Sequence, residues 1–250
     1  MSISIADRAY PDGGLSPKVI GMLALITLTV AVVLGGLRLS GVPSTASSTA
    51  SAVTLSDGSI LYVQKREVTI AEWTQCHEAG ACSLRIKSRK ANDTDYPATG
   101  LNWFDVNEYV AWANRTRPGR FRLPAAQEWN EIAREVMPEK PDPIFTDPNL
   151  RWASSYLTES NTKRALRPSG SFAMTSHGIE DLDGSVWEWT SDCYAGPEKG
   201  FDRENCPAFF VAGEHVAAIP VFTRDPARGG CATGSPPPHL GLRLVSDDPL

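Results

Sequence analysis

A basic patch is missing from this sequence. Its 250 residues carry 24 Lys plus Arg against 29 Asp plus Glu, a net charge of −5, and beyond residue 52 the balance is 21 to 27. No Lys/Arg cluster that would neutralise phosphates is present, so a nucleic-acid surface is excluded. Cysteine is scarce as well. Cys76, Cys82, Cys193, Cys206 and Cys231 are the only five, too few for a disulfide-built miniprotein and in no CxxC spacing suited to zinc. The four histidines stand singly, without HxH or HxxxH, which gives a histidine-bound metal no support. GxSxG, P-loop and Rossmann glycine patterns are missing, and no internal repeat is visible. With 42% hydrophobic residues, the chain can nevertheless build one good core, and neither a wholly disordered chain nor a rod fits that composition.

What is present begins with an apolar run. Val19 to Leu37 contains no charged residue, and as a helix its 19 residues would span roughly 28 Å, close to the hydrocarbon thickness of a bilayer. Its only hydroxyl side chains are Thr27 and Thr29, so it lacks the polar face of a core helix. The alternative is a cleaved signal peptide, since Ala50-Ser51-Ala52 resembles a cleavage site, but the run exceeds the about 7–15 residues of a typical h-region. Arg8, Lys18 and the amino terminus precede it and Arg38 follows, which orients the N-terminus to the cytoplasm. The expected organisation is a cytoplasmic segment 1–18, a transmembrane helix 19–37, a flexible linker 38–52 of small uncharged residues, and a folded domain 53–250. The expected location is a bacterial inner membrane, with the domain in the periplasm.

An oxidising compartment would suit the cysteines. Cys76 and Cys82 flank a short Gly-containing loop, and Cys193 and Cys206 bracket a polar Gly-rich run, so each pair would bridge there, whereas in a cytosolic protein all five would stay reduced. Ser59 to Val68 reads as a strand. Thr69 and Glu72 form a capping box for a helix whose inner face carries Ile70, Trp73 and Cys76 or His77. A second helix is predicted from Trp103 to about Thr116 with Asn102 as N-cap, and a third from Ala126 to Val136. Residues 137 to 178 have no sustained period and read as loops. Val186 to Thr190 and Gly241 to Val245 are the clearest later strands. The fold class is α+β with much irregular structure.

Several short motifs then occur in one order. They are Glu67-Val68-Thr69, Tyr96-Pro97-Ala98, Leu101-Asn102-Trp103-Phe104-Asp105, Arg122-Leu123-Pro124, Glu128-Trp129, Gly184-Ser185-Val186-Trp187-Glu188-Trp189, Arg228-Gly229-Gly230 and Gly241-Leu242-Arg243. Together they resemble the formylglycine-generating-enzyme, or sulfatase-modifying-factor, domain from about residue 60 to 246. The resemblance implies a C-type-lectin-like fold. It implies that six of the seven tryptophans are packing positions, with Trp152 the seventh. It also implies a structural calcium ion, whose ligands would fall on Asp181, Gly184, Val186 and Glu188; a turn rich in oxygen donors suits such a hard cation. From the residues alone, Asp183-Gly184 is an ordinary turn and Glu188 an ordinary exposed carboxylate. A second family calcium site near Asn161 does not align.

The family's chemistry is where this chain departs. Those enzymes oxidise a substrate cysteine with oxygen, using two cysteines beyond the RGG segment that bind copper as thiolates. Here only ten residues, CATGSPPPHL, separate Arg228-Gly229-Gly230 from Gly241-Leu242-Arg243, and Cys231 is their sole cysteine. Copper is therefore not expected. Cys231 with His239 is the one weak substitute constellation, against the plainer reading of a buried thiol and a surface histidine. Two functions follow: a non-catalytic accessory, assembly or structural subunit of a membrane complex, or an oxidoreductase with a site rearranged around Cys231. The second needs another thiolate, which Cys193 or Cys206 would supply only if they were not bonded to each other. A lectin-like module with calcium at the ligand site ranks last.

Overall fold

The computed structural model describes residues 49–87, 93–137, 144, 165–194, 205–226 and 236–250. The predicted span and most of the linker lie outside them, as do Trp152, Asn161 and Cys231. Among the described residues, no helix is long and apolar enough to cross a membrane. The folded part is one compact unit, Ser47–Leu250.

It starts earlier than the linker composition suggests. Strand β1, Ala50–Thr54, pairs antiparallel with β2, Ile60–Gln64, around a tight turn in which Gly58 holds φ +87°. Ala50 to Ala52 therefore belong to a sheet rather than a tether, because β2 supplies the ladder bonds that small residues do not call for by themselves. A cut after Ala52 would remove three of the five residues of β1. Strand β2 is shorter than the expected Ser59–Val68.

Three helices follow. Helix α1, Ile70–Glu78, opens on the Thr69 and Glu72 capping box and buries Trp73 and Cys76. Helix α2, Trp103–Thr116, is capped by Asn102 with Asp105 answering it, and buries Val106, Tyr109, Trp112 and Ala113. After the short strand β3, Phe121–Arg122, comes α3, Ala126–Ala133, three residues shorter than expected. Ala125 has no side-chain cap to offer, and the helix is served from a distance. Asp192 accepts from the Ala126 N–H at 3.0 Å, and Glu128 accepts from the Ala125 N–H at 2.7 Å.

The remaining strands are β4, Val186–Cys193; β5, Ala208–Ala212; β6, Ala217–Pro220; β7, His239–Gly241; and β8, Val245–Ser246. They complete two four-stranded sheets of order β1-β2-β8-β3 and β6-β5-β4-β7. The expected strand Gly241 to Val245 is two strands. Its first end pairs parallel with β4 in one sheet and its second pairs with β2 and β3 in the other, leaving Leu242 to Leu244 as the crossing. This crossing places Arg243 in the interior.

Six tryptophans pack the core: Trp73, Trp103, Trp112, Trp129, Trp187 and Trp189 are each 8% exposed or less. Burying a side chain of this kind contributes roughly 1.5–3 kcal/mol. Trp103 stacks on Phe209 and meets Trp189 edge-on, while Trp73 stacks on Tyr109. Buried indole N–H groups find acceptors, Trp73 on the Leu84 carbonyl and Trp189 on the Leu101 carbonyl, both at 2.8 Å.

Candidate functional site

A two-thiolate oxidase site requires two cysteines that are not bonded elsewhere. Cys76 bridges to Cys82 across the end of α1, and Cys193, the last residue of β4, bridges to Cys206 just before β5. His77 sits beside the first bridge with Nδ1 2.9 Å from the Cys82 carbonyl. With four of five cysteines so used, Cys231 has no second thiol of this chain with which to form a two-thiolate copper centre. His239 is placed on β7 opposite Val186 of β4. Its pairing with Cys231 lies outside the described residues.

The second bridge closes a separation of 13 residues, for which chain entropy gives a stabilisation of about 3 kcal/mol. Cys193→Ser/Cys206→Ser is expected to lower the urea midpoint by a corresponding amount; an unchanged midpoint would show that the loop needs no fastener.

A second cluster is ionic and buried. Arg243 reaches Glu188 with Nε at 3.1 Å and Nη2 at 2.9 Å, the Gln64 carbonyl with Nη1 at 2.9 Å, and the Glu180 carbonyl with Nη2 at 2.8 Å. Glu188 also accepts from the Trp129 indole at 2.7 Å. Arg243 and Glu188 are each 1% exposed, and so is a second carboxylate, Glu67, whose Oε2 lies 3.8 Å from Arg243 Nη2 and has no hydrogen-bond partner. Burial pushes the Glu67 carboxyl up to about 8, Arg243 opposing the rise and Glu188 and Asp181 adding to it. Trp129 belongs to a different apolar cluster from Trp187 and Trp189, so its hydrogen bond to Glu188 ties the two clusters together.

This geometry bears on calcium. Glu188, expected as an exposed carboxylate or a calcium ligand, is spent on Arg243 and Trp129. Asp181, at φ +67°, accepts from the backbone N–H groups of Gly170 and Phe172, and its own carbonyl accepts from the Gly184 N–H. Val186 lies in the β4 ladder. Among the described residues, no three His, Cys, Asp or Glu side chains converge as metal ligands would. As placed, Arg243 already balances the Glu188 charge, so this carboxylate does not depend on a metal ion for its counter-charge. Excess EGTA is therefore expected to leave the urea midpoint unchanged, and a lowered midpoint would restore the ion.

The third feature is a salt bridge at the start of α2. Asp105, 2% exposed, takes Arg224 Nε at 2.8 Å and Nη2 at 2.9 Å while also capping Asn102. Above it Phe104 and Phe222 touch, 5.1 Å between ring centroids.

The Sulfatase-modifying factor enzyme 1-like domain family matches residues 27–248. The chain belongs to that family. Formylglycine-generating enzyme of Thermomonospora curvata is 24% identical over 185 residues, covering 61% of this chain and 56% of that one. The mouse protein named inactive C-alpha-formylglycine-generating enzyme 2 is 29% identical over 108 residues, 40% of this chain and 33% of its own. The chain thus spans about half the length, or less, of these curated relatives. Among solved structures, PvdO from Pseudomonas aeruginosa superposes with a TM-score of 0.50 at 17% identity, over 76% of this chain and 81% of that one, which supports the fold.

The sulfatase-modifying-factor scaffold is thus retained here, and its motif residues do structural work. The Glu67, Glu188 and Arg243 of the matching motifs form the buried ionic cluster, Asn102 and Asp105 cap α2, and Glu128 holds the start of α3. Sequence reading missed the joining of the first three, although a signal existed. Trp187-Glu188-Trp189 and Leu242-Arg243-Leu244 each set a charge between large apolar residues, a pattern of buried ions rather than of solvated ones.

Proposed function

We propose that this is a membrane-anchored, periplasm-facing member of the family that works by binding, as an accessory, assembly or structural subunit of a membrane complex. The observation that carries the reading is the thiol count: with both disulfides made, one cysteine remains where the family's copper chemistry needs two. That two of the curated relatives are themselves named inactive is consistent with a scaffold that outlives its chemistry. The apolar run Val19 to Leu37 supports anchoring, and the disulfides suit an oxidising compartment.

Purification from native membranes in mild detergent, with mass spectrometry of what remains bound, tests this. A stoichiometric membrane partner supports it. A protein that comes alone and binds copper in a manner abolished by Cys231→Ser would establish the oxidoreductase reading instead.

A further inference from the structure

We propose that the exposed aromatic pair Phe104 and Phe222 is a lipid-docking knob that rests the domain on a bilayer surface. The inference builds on the proposed anchoring through Val19 to Leu37 and adds to it a second, peripheral contact made by the folded domain itself.

Phe222 is 75% exposed and Phe104 48%, the two most exposed aromatic side chains among the described residues, with Tyr194 next at 44%. The two rings touch each other and form one apolar projection. The projection is also held rigid. Phe104 lies in the first turn of α2, and Phe222 lies in the turn after β6. The backbone N–H of Trp103 donates to the Val221 carbonyl at 3.1 Å, Val221 donates to Pro207, and Thr223 donates to Pro220. One residue beyond Phe104, Asp105 binds Arg224 through two hydrogen bonds. Docking therefore orders no loop, and the entropic cost that usually weakens small contacts is already met.

Two arguments favour lipid over protein as the occupant. Two side chains fall far short of the roughly 800 Å² that each partner contributes to a standard protein interface. A bilayer already held nearby makes no such demand. The twelve residues from Arg38 to Thr49 reach at most ~40 Å, so the membrane surface is present at high effective concentration and a weak contact suffices. Phenylalanine rings, with no polar handle, suit the boundary between headgroups and acyl chains. The surrounding charge selects the lipid. Asp105 is neutralised by Arg224 and Glu108 accepts from the Ser83 N–H and hydroxyl, so the described residues beside the pair offer no excess of positive charge and suit zwitterionic rather than anionic headgroups.

The test uses the full chain, with Cys231→Ser to remove the leftover thiol, reconstituted into phosphatidylcholine vesicles carrying nitroxide-labelled acyl chains. An environment-sensitive fluorophore is attached at Thr223→Cys, beside the pair, or at Asn130→Cys, exposed on α3. The expected result is a blue shift and loss of most emission at position 223, little change at 130, and recovery of emission at 223 when Phe104→Ser/Phe222→Ser is added. Equal quenching at both positions, or quenching at 223 that survives the double substitution, overturns the docking while leaving the anchor intact. Release of the protein from the vesicles by an alkaline wash overturns the anchor and the docking together.

Discussion

Arg243→Met is expected to unfold the domain, or to leave it so destabilised that it is recovered mainly as insoluble protein. The substitution keeps most of the side chain's volume but strips Glu188 of its counterion, removes the cation nearest Glu67, and leaves the Gln64 and Glu180 carbonyls without the Arg243 donors. Breaking a buried ion pair by removing one partner costs about 3–5 kcal/mol, a large share of the roughly 5–15 kcal/mol that holds an ordinary domain together. Arg243→Lys is expected to rescue little, because a single ammonium cannot reproduce the planar fork that meets Glu188 and two carbonyls at once. Adding Glu188→Gln to Arg243→Met is expected to recover part of the loss by removing the stranded charge. Urea unfolding of the three variants checks this, and an Arg243→Met midpoint equal to that of the parent would show that the cluster is incidental.

Glu67→Gln has the opposite sign and a pH dependence of its own. Burial raises the Glu67 carboxyl to about 8, far above its ordinary value, so the folded state holds a proton through the range in which the unfolded chain has already released it. Between those two values the native state binds more protons than the unfolded state, and stability must fall as pH rises. The contribution is fully present below the ordinary carboxyl range and is lost as pH climbs through about 8. Removing the titration should flatten that part of the curve, leaving Glu67→Gln more stable than the parent by on the order of a few kcal/mol at about pH 8 and close to it at about pH 4.5. Urea midpoints across a range of about pH 4 to 9 decide the matter. Parallel curves for parent and variant would mean that Glu67 is ionised in the fold and stabilised by Arg243.

Both effects arise from residues that carry motifs of the family. Among the described residues, Glu67, Glu188 and Arg243 of those motifs hold the interior together. Glu128 and Asp192 show the same economy, serving the start of a helix whose N-cap position is occupied by Ala125.

Local elements and family membership were legible in the order of the residues. The Thr69 and Glu72 capping box and the Asn102 N-cap fix where two helices begin, because a cap needs only residues within one turn of each other. The ordered motifs from Glu67 to Arg243 identified the scaffold, and the two short cysteine separations suggested their own bridges. Whatever depended on partners far along the chain waited for the fold. Ala50 to Ala52 read as tether until β2 paired with them. Gly241 to Val245 read as one strand, yet it divides because its two ends join different sheets. Glu188 read as exposed, yet it lies against Arg243, 55 positions away, and Trp129, 59 positions away. Burial of a charge is a property of where the chain returns, and neither spacing nor composition encodes that return.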